Sequence, residues 1–244
     1  MTTIAFLGLG NMGGPMAANL VTAGHTVHGF DPVPAAVEAA EANGIKAFPS
    51  AVEAVVGAQV VITMLPSGPI VKSLYDDILP AATSGALFID SSTISVDDAR
   101  RINAQATDRG FAQVDAPVSG GVKGAVAGTL AFMVGGTEAA FAAARSTLDP
   151  MAGKIIHCGA AGAGQAAKVC NNMVLAVQQI AVGEAFVLAQ KLGLDVSPLG
   201  RGGDDLDPGR FICDRRADQR SDPGSGAAGW LRSEPCASAK GWRV

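Results

Sequence analysis

Short apolar runs alternate along this chain with longer stretches in which small apolar residues recur among polar ones. The runs are Thr3 to Leu9, Thr26 to Phe30, Ile45 to Phe48, Gln59 to Leu65, Ala86 to Asp90, Phe111 to Asp115, Thr129 to Gly135 and Lys154 to His157. Runs of this length, bounded by turn residues, read as strands buried on both faces. Between them the pattern predicts helices from Pro15, over Val33 to Asn43, Ser50 to Val56, Val96 to Arg109 and Glu138 to Leu148, with Ser50 as an N-cap. Strands alternating with helices predict an α/β protein with a doubly wound, Rossmann-type, mostly parallel sheet.

The pattern changes after Gly159. From the glycines Gly162 and Gly164 to Leu194 the chain holds no proline and many good helix formers. Apolar residues lie all the way round this predicted helix, so it is expected to be buried on most sides. Gln178, Gln179 and Glu184 interrupt it and favour a core helix over a membrane span. Lys168 and Asn172 stand four apart in that apolar setting, on one face and one turn apart. An amine and an amide so placed can polarise a small oxygenated substrate, although a lone lysine near a helix end can equally be a snorkelling one.

Composition narrows the function. In 244 residues, 48% are hydrophobic and 16% charged, the balance of a globular enzyme. A net charge of −4 gives nucleic-acid binding no support. The cysteines form no CxxC pair and no evident disulfide framework, and no basic residue precedes Lys46. A reducing, cytoplasmic setting without a signal peptide or membrane partner is therefore expected. His25, His28 and His157 show no metal-ligand spacing, so no metal is expected.

The first strand runs into Gly8-Leu-Gly-Asn-Met-Gly13, a G-x-G-x-x-G in its proper place between strand and helix. Gly8 permits the tight turn, Gly10 lets backbone approach a pyrophosphate, and Gly13 lets helix pack on strand, with Asn11 and Met12 between them. Asp31 ends the second strand, where a carboxylate accepts from ribose hydroxyls and repels a 2′-phosphate. NAD is accordingly favoured over NADP, although Asp31 before Pro32 could simply be a turn residue. Three polar strand exits should converge beside the cofactor: Leu65-Pro66-Ser67, Ser91-Ser92-Thr93, and Asp115 to Gly121. In the last, Ser119, Gly120 and Gly121 bring a hydroxyl and unhindered N–H groups together, as a carboxylate-binding nest requires.

Phe6 to Leu20, Asp115 to Gly121 and Gly164 to Met173 resemble, in order, the signatures of the β-hydroxyacid dehydrogenases, and the resemblance covers residues 1 to about 199. It implies a Rossmann domain over 1–161, then a long interdomain helix and the start of an all-helical, oligomer-building domain over 162–199. It also implies Lys168 as the catalytic lysine, Asn172 as the substrate amide and Ser119, Gly120 and Gly121 as the carboxylate site. Leu65, Pro66, Ser92 and Thr93 would then line the cofactor. The implied reaction is hydride transfer from the C3 alcohol of 3-hydroxyisobutyrate to NAD⁺, giving methylmalonate semialdehyde in valine degradation. A sister reductase of tartronate semialdehyde, glyoxylate or succinate semialdehyde, and a nucleotide-binding but inert remnant, are the alternatives.

Residues 200–244 depart from the family. Positions 201–244 hold 15 of the 40 charged residues, seven of the eleven arginines and both tryptophans, but only five of Leu, Ile, Val, Phe and Met. No amphipathic period runs through them, so a truncated or disordered remnant of the all-α domain is expected. The break near Pro198–Gly200 resembles translation in another reading frame, with a natural disordered tail as the alternative. Sequencing the gene is expected to reveal a frame that restores an apolar helical continuation.

Overall fold

A computed structural model of the chain describes residues 1–194. In order come β1 (Thr3–Leu7), α1 (Gly13–Thr22), β2 (Thr26–Phe30), α2 (Pro34–Glu41), β3 (Lys46–Ala47), α3 (Ala51–Val55), β4 (Val60–Thr63) and α4 (Gly68–Ile78). There follow β5 (Leu87–Asp90), α5 (Val96–Thr107), β6 (Ala112–Asp115), β7 (Val118–Ser119), α6 (Gly121–Ala127), β8 (Leu130–Gly135), α7 (Glu138–Leu148), β9 (Ala152–Gly159) and α8 (Ala163–Lys191).

The strands form one sheet in the order β3-β2-β1-β4-β5-β6-β8-β7, with β9 paired to β8. From β3 to β6 every pairing is parallel, and β8 turns the sheet antiparallel where it meets β6 and β7. The strand order reverses at β1, which pairs with both β2 and β4. Ligands in open α/β sheets gather at such a switch point, outside the carboxyl ends of the strands.

Side chains leave a strand alternately to its two faces, and both faces are covered here. Ile4, Phe6, Ile62, Ile89, Val114 and Phe132 pack with Met16 and Leu20 of α1 on one side. Ala5, Leu7, Val61 and Phe88 pack with Val71, Tyr75 and Ile78 of α4 and Ile102 of α5 on the other. Double coverage is why β1 and β4 read as unbroken apolar runs. Ser50 caps α3 as expected, accepting from the Glu53 N–H at 3.1 Å while its hydroxyl donates to the Glu53 carboxylate.

Three stretches differ from the sequence reading. Pro66 to Pro69 is not merely a closing turn, because Pro69 lies in the first turn of α4, where a missing N–H costs nothing. The stretch after Asp115 contains the two-residue β7 and the seven-residue α6 rather than loop alone. The third is α8, expected to be buried on most sides. Only Gly164, Gln165 and Ala189 are buried along it, while Met173, Val177 and Ile180 are each more than 60% exposed. Among the described residues α8 packs on β6, β8, β9 and α5, and these elements reach mainly its N-terminal end. Length and composition would let α8 cross a membrane, but it begins against the sheet. The expected change in residues 200–244 lies outside the described residues.

Candidate functional site

The glycine loop is built as its spacing requires. Gly8 has φ +97° and donates its N–H to the Phe30 carbonyl at 2.9 Å, and a Cβ there would press on the Met64 carbonyl. A Cβ on Gly13 would strike the Gly8 carbonyl and the Phe6 ring. Gly10 is the opposite case, exposed and with no atom within 4 Å of where a Cβ would stand. That leaves open backbone at the head of α1. No side chain caps this helix, and no acid occupies its first turn, so its positive dipole end faces the opening uncompensated. Asn11 is exposed and Met12 half-buried at the same point.

Asp31 closes the turn before Pro34 and also stands beside the glycine loop. Its Oδ1 accepts from the Val33 N–H at 2.8 Å, closing a turn, and its Oδ2 accepts from the Leu9 N–H at 2.7 Å, beside the glycine loop. A carboxylate has about four acceptor positions, so two remain for a ribose diol. These features fit a dinucleotide. Gly10→Val is expected to leave the melting temperature nearly unchanged but to weaken NADH binding more than ~10-fold, because the open backbone is where a phosphate must approach. Fluorescence titration and a thermal melt read both quantities.

At the next strand exits the side chains tie the loops together. The Leu65 N–H donates to Ser92 Oγ at 2.9 Å, joining the loop after β4 to the loop after β5. The buried Asp90 carboxylate accepts through Oδ1 from Thr63 Oγ1 at 2.8 Å and from the Ser92 N–H at 3.1 Å. Ser92 is thus buried and engaged, whereas Thr93 and Pro66 are exposed. Asp90 Oδ2 and Tyr75 Oη, both fully buried, have no hydrogen-bond partner among the described residues.

Burial outweighs the Asp90 hydrogen bonds and pushes its carboxyl up to about 6. A raised carboxyl contributes stability that is full below the unfolded value of 3.8 and is lost as pH rises through about 6. Asp90→Asn keeps an acceptor for Thr63 and Ser92 without the charge. It is expected to gain roughly 1–3 kcal/mol over the native chain above pH 7 and nothing at pH 3.5. Denaturant melts at the two pH values check this.

The start of α8 is tied to the sheet by two residues whose partners the sequence did not disclose. The buried Asp115 carboxylate, at the end of β6, accepts from the Gly162 N–H at 2.7 Å and the Gln165 N–H at 2.9 Å. Burial still holds its carboxyl above the ordinary range. Gln165, fully buried, accepts from the Ile94 N–H at 3.2 Å and donates to the Ser92 carbonyl at 2.7 Å. The fit is close enough that a Cβ on Gly135 or Gly164 would run into backbone across the junction. The signal was the pairing of a strand-end acid with Gly162-Ala-Gly-Gln165.

Lys168 follows Gln165 by three positions and Asn172 by seven, so all three lie on one face of α8. Lys168 is half-buried and makes no hydrogen bond or ion pair among the described residues; burial pulls its ammonium below the ordinary 10.5. Asn172 is exposed, with Oδ1 3.5 Å from Asn171 Nδ2. Ser119 ends β7, half-buried, followed by the exposed Gly120 and Gly121 at φ +130° and +61°. Two successive left-handed residues demand glycine and leave the backbone uncovered.

The comparisons agree with this layout. Residues 3–159 match the family described as the NAD binding domain of 6-phosphogluconate dehydrogenase. Residues 162–200 match the one described as NAD-binding of NADP-dependent 3-hydroxyisobutyrate dehydrogenase. The chain is 69% identical over 199 residues to a probable 3-hydroxyisobutyrate dehydrogenase of Mycobacterium tuberculosis, covering 82% of this chain and 68% of that one. It is 49% identical over 202 residues to an NAD-dependent L-serine dehydrogenase of Pseudomonas aeruginosa, with the same coverage. The solved structure of M. tuberculosis 3-hydroxyisobutyrate dehydrogenase with L-serine superimposes with a TM-score of 0.78 at 70% identity, covering 80% of this chain and 67% of that one. With its nucleotide loop, its strand exits and α8 in that arrangement, the chain belongs to the β-hydroxyacid dehydrogenases, a family of NAD-binding oxidoreductases.

Proposed function

We propose that this chain carries the site for oxidising 3-hydroxyisobutyrate to methylmalonate semialdehyde, the step of valine degradation, with Lys168 as proton acceptor. One observation carries this reading. An amine with no hydrogen-bond or ion-pair partner among the described residues, its charge disfavoured by burial, sits one turn from a residue that binds the β5 exit loop.

Bound NAD⁺ supplies the hydride acceptor. Gly8, Gly10, Asn11, Met12 and Gly13 hold the pyrophosphate against the head of α1, and Asp31 holds the adenosine ribose. Leu65, Pro66, Ser92 and Thr93 border the nicotinamide half. Ser119 with the Gly120 and Gly121 N–H groups takes the substrate carboxylate, and Asn172 holds the hydroxyl or the carboxylate. Lys168, whose ammonium form burial disfavours, takes the hydroxyl proton in its neutral form and then faces the developing oxyanion. Asp31→Ser is expected to relax the preference for NADH over NADPH by ~10-fold or more, because the repulsion of a 2′-phosphate is lost. Parallel titrations with the two nucleotides measure it.

A second substrate, L-serine, is favoured by the P. aeruginosa relative and by the ligand in the M. tuberculosis structure. Both acids carry a hydroxyl on C3 and a carboxylate two bonds away, which is the pair of groups Lys168 and Ser119 would address. NAD⁺ reduction by purified 1–244, followed at 340 nm with 3-hydroxyisobutyrate, L-serine, glycerate, glycolate and 4-hydroxybutyrate, orders the candidates. Turnover fastest with 3-hydroxyisobutyrate supports the proposal. NADH binding without any substrate-dependent reduction selects the inert remnant instead.

The division into 1–161, 162–199 and 200–244 is part of the same proposal, as is the change of frame near Pro198–Gly200. It is supported by the composition of residues 201–244 and by family matches that stop at residue 200. The exposed apolar stripe of α8 is then the surface on which a helical domain would pack.

A further inference from the structure

We infer that Gln165 is a positioning residue: its side-chain amide clamps the Ser92–Ile94 loop to the first turns of α8 and so sets where Lys168 stands over the cofactor. The inference rests on the role proposed above for Lys168.

The amide is used at both ends. Its Oε1 accepts from the Ile94 N–H and its Nε2 donates to the Ser92 carbonyl, while its own backbone N–H is held by Asp115. The side chain is fully buried, so water cannot replace either bond. Its two loop partners flank Thr93, the exposed residue of the loop proposed to border the nicotinamide half. Through Ser92 the same clamp reaches the loop after β4, because Ser92 Oγ receives the Leu65 N–H. One side chain therefore joins the two cofactor-side loops to the helix that bears the amine.

No other described hydrogen bond or ion pair restrains the Lys168 side chain, so its location depends on the position of its helix turn. Gln165 is on the same face, three residues earlier. Hydride transfer is steep in distance, and a displacement of about 1 Å can cost ~10²-fold in rate. A glutamine that fixes this turn against the loops controls rate more than binding.

The test uses the full chain. Gln165→Met keeps the length and apolar volume but forms neither bond. Its kcat for NAD⁺ reduction is expected to fall ~10- to 100-fold, with KM for NAD⁺ and for the hydroxyacid within ~3-fold of native. A second readout needs no turnover: the rate of reductive methylation of each lysine, followed by mass spectrometry. Lys168 is expected to react several-fold faster in Gln165→Met, with Lys72 and Lys123 unchanged. If Gln165→Met does not fold, Gln165→Glu, which sets a carboxylate oxygen against the Ser92 carbonyl, is expected to show the same selective rise. Unchanged Lys168 reactivity together with kcat within ~3-fold of native overturns the inference. Lys168→Gln is run beside it. Turnover surviving in that variant removes the lysine from the mechanism, whereas loss there with an unaffected Gln165→Met removes only the clamp.

Discussion

Lys168→Ala is expected to lower NAD⁺ reduction at least ~10³-fold while NADH binding stays within ~3-fold of native. The lysine lies on α8 and not on the glycine loop proposed to hold the pyrophosphate, so the nucleotide would keep its proposed anchors at Gly10 and Asp31. What disappears is the proton acceptor and the donor facing the oxyanion, two contributions that share one nitrogen. The pH dependence carries the same signature. Only the neutral amine accepts a proton, so kcat/KM should rise with pH to a plateau. Burial disfavours the ammonium, which places the midpoint of that rise below the ordinary 10.5. Positive charge on a bound nicotinamide would lower it further. Lys168→Ala should abolish this limb together with the rate, and a stopped-flow profile from pH 6 to 10 measures both.

Asp115→Ala is the variant expected to cost the most stability, about 3 kcal/mol or more. Its carboxylate is the described partner of the Gly162 and Gln165 N–H groups, which the junction with β8 and β6 buries. Alanine leaves both donors unpaired where water has no room, at ~1–3 kcal/mol each. The loss should be a folding defect first, read as a lower denaturant midpoint, and an activity defect second, as α8 slips from its seat. Removing Asp115 also removes a buried charge whose carboxyl is raised, so the penalty should shrink as pH increases and the native chain gives up that contribution. An acid melt and a neutral melt of the two proteins, compared, show whether the N–H groups or the charge dominates.

Most of the sheet was legible because its strands are short runs bounded by turn residues, apolar throughout where both faces are covered, as in β1 and β4; β1, β2, β4, β5 and β6 lie within a residue or two of their predicted runs. Local chemistry also fixed helix starts where the cap is a short polar side chain, as at Ser50. What escaped was decided by tertiary partners. Val71, Tyr75 and Ile78 of α4 have helical spacing, but the prolines before them masked it. β7, two residues long, exists through its pairing with β8 and has no period of its own.

The same division runs through the site. The roles of Gly8, Gly10 and Gly13 follow from spacing, because backbone conformation and absent side-chain volume are local properties. That Ser92 turns its hydroxyl inward to the Leu65 N–H, and that Asp115 and Gln165 bind across the junction with α8, depends on segments roughly 25 to 75 residues apart. The exposure of α8 is likewise not a property of its own residues, since an all-round apolar helix is buried only where something covers it.

The measurement that bears most directly on the account is a crystal structure of the chain soaked with NAD⁺ and 3-hydroxyisobutyrate. The account predicts Lys168 Nζ within hydrogen-bond reach of the substrate C3 hydroxyl, with that carbon facing the nicotinamide ring and the carboxylate on Ser119 and the Gly120 and Gly121 N–H groups. A nicotinamide ring bound away from α8, with Lys168 pointing into solvent, would contradict it.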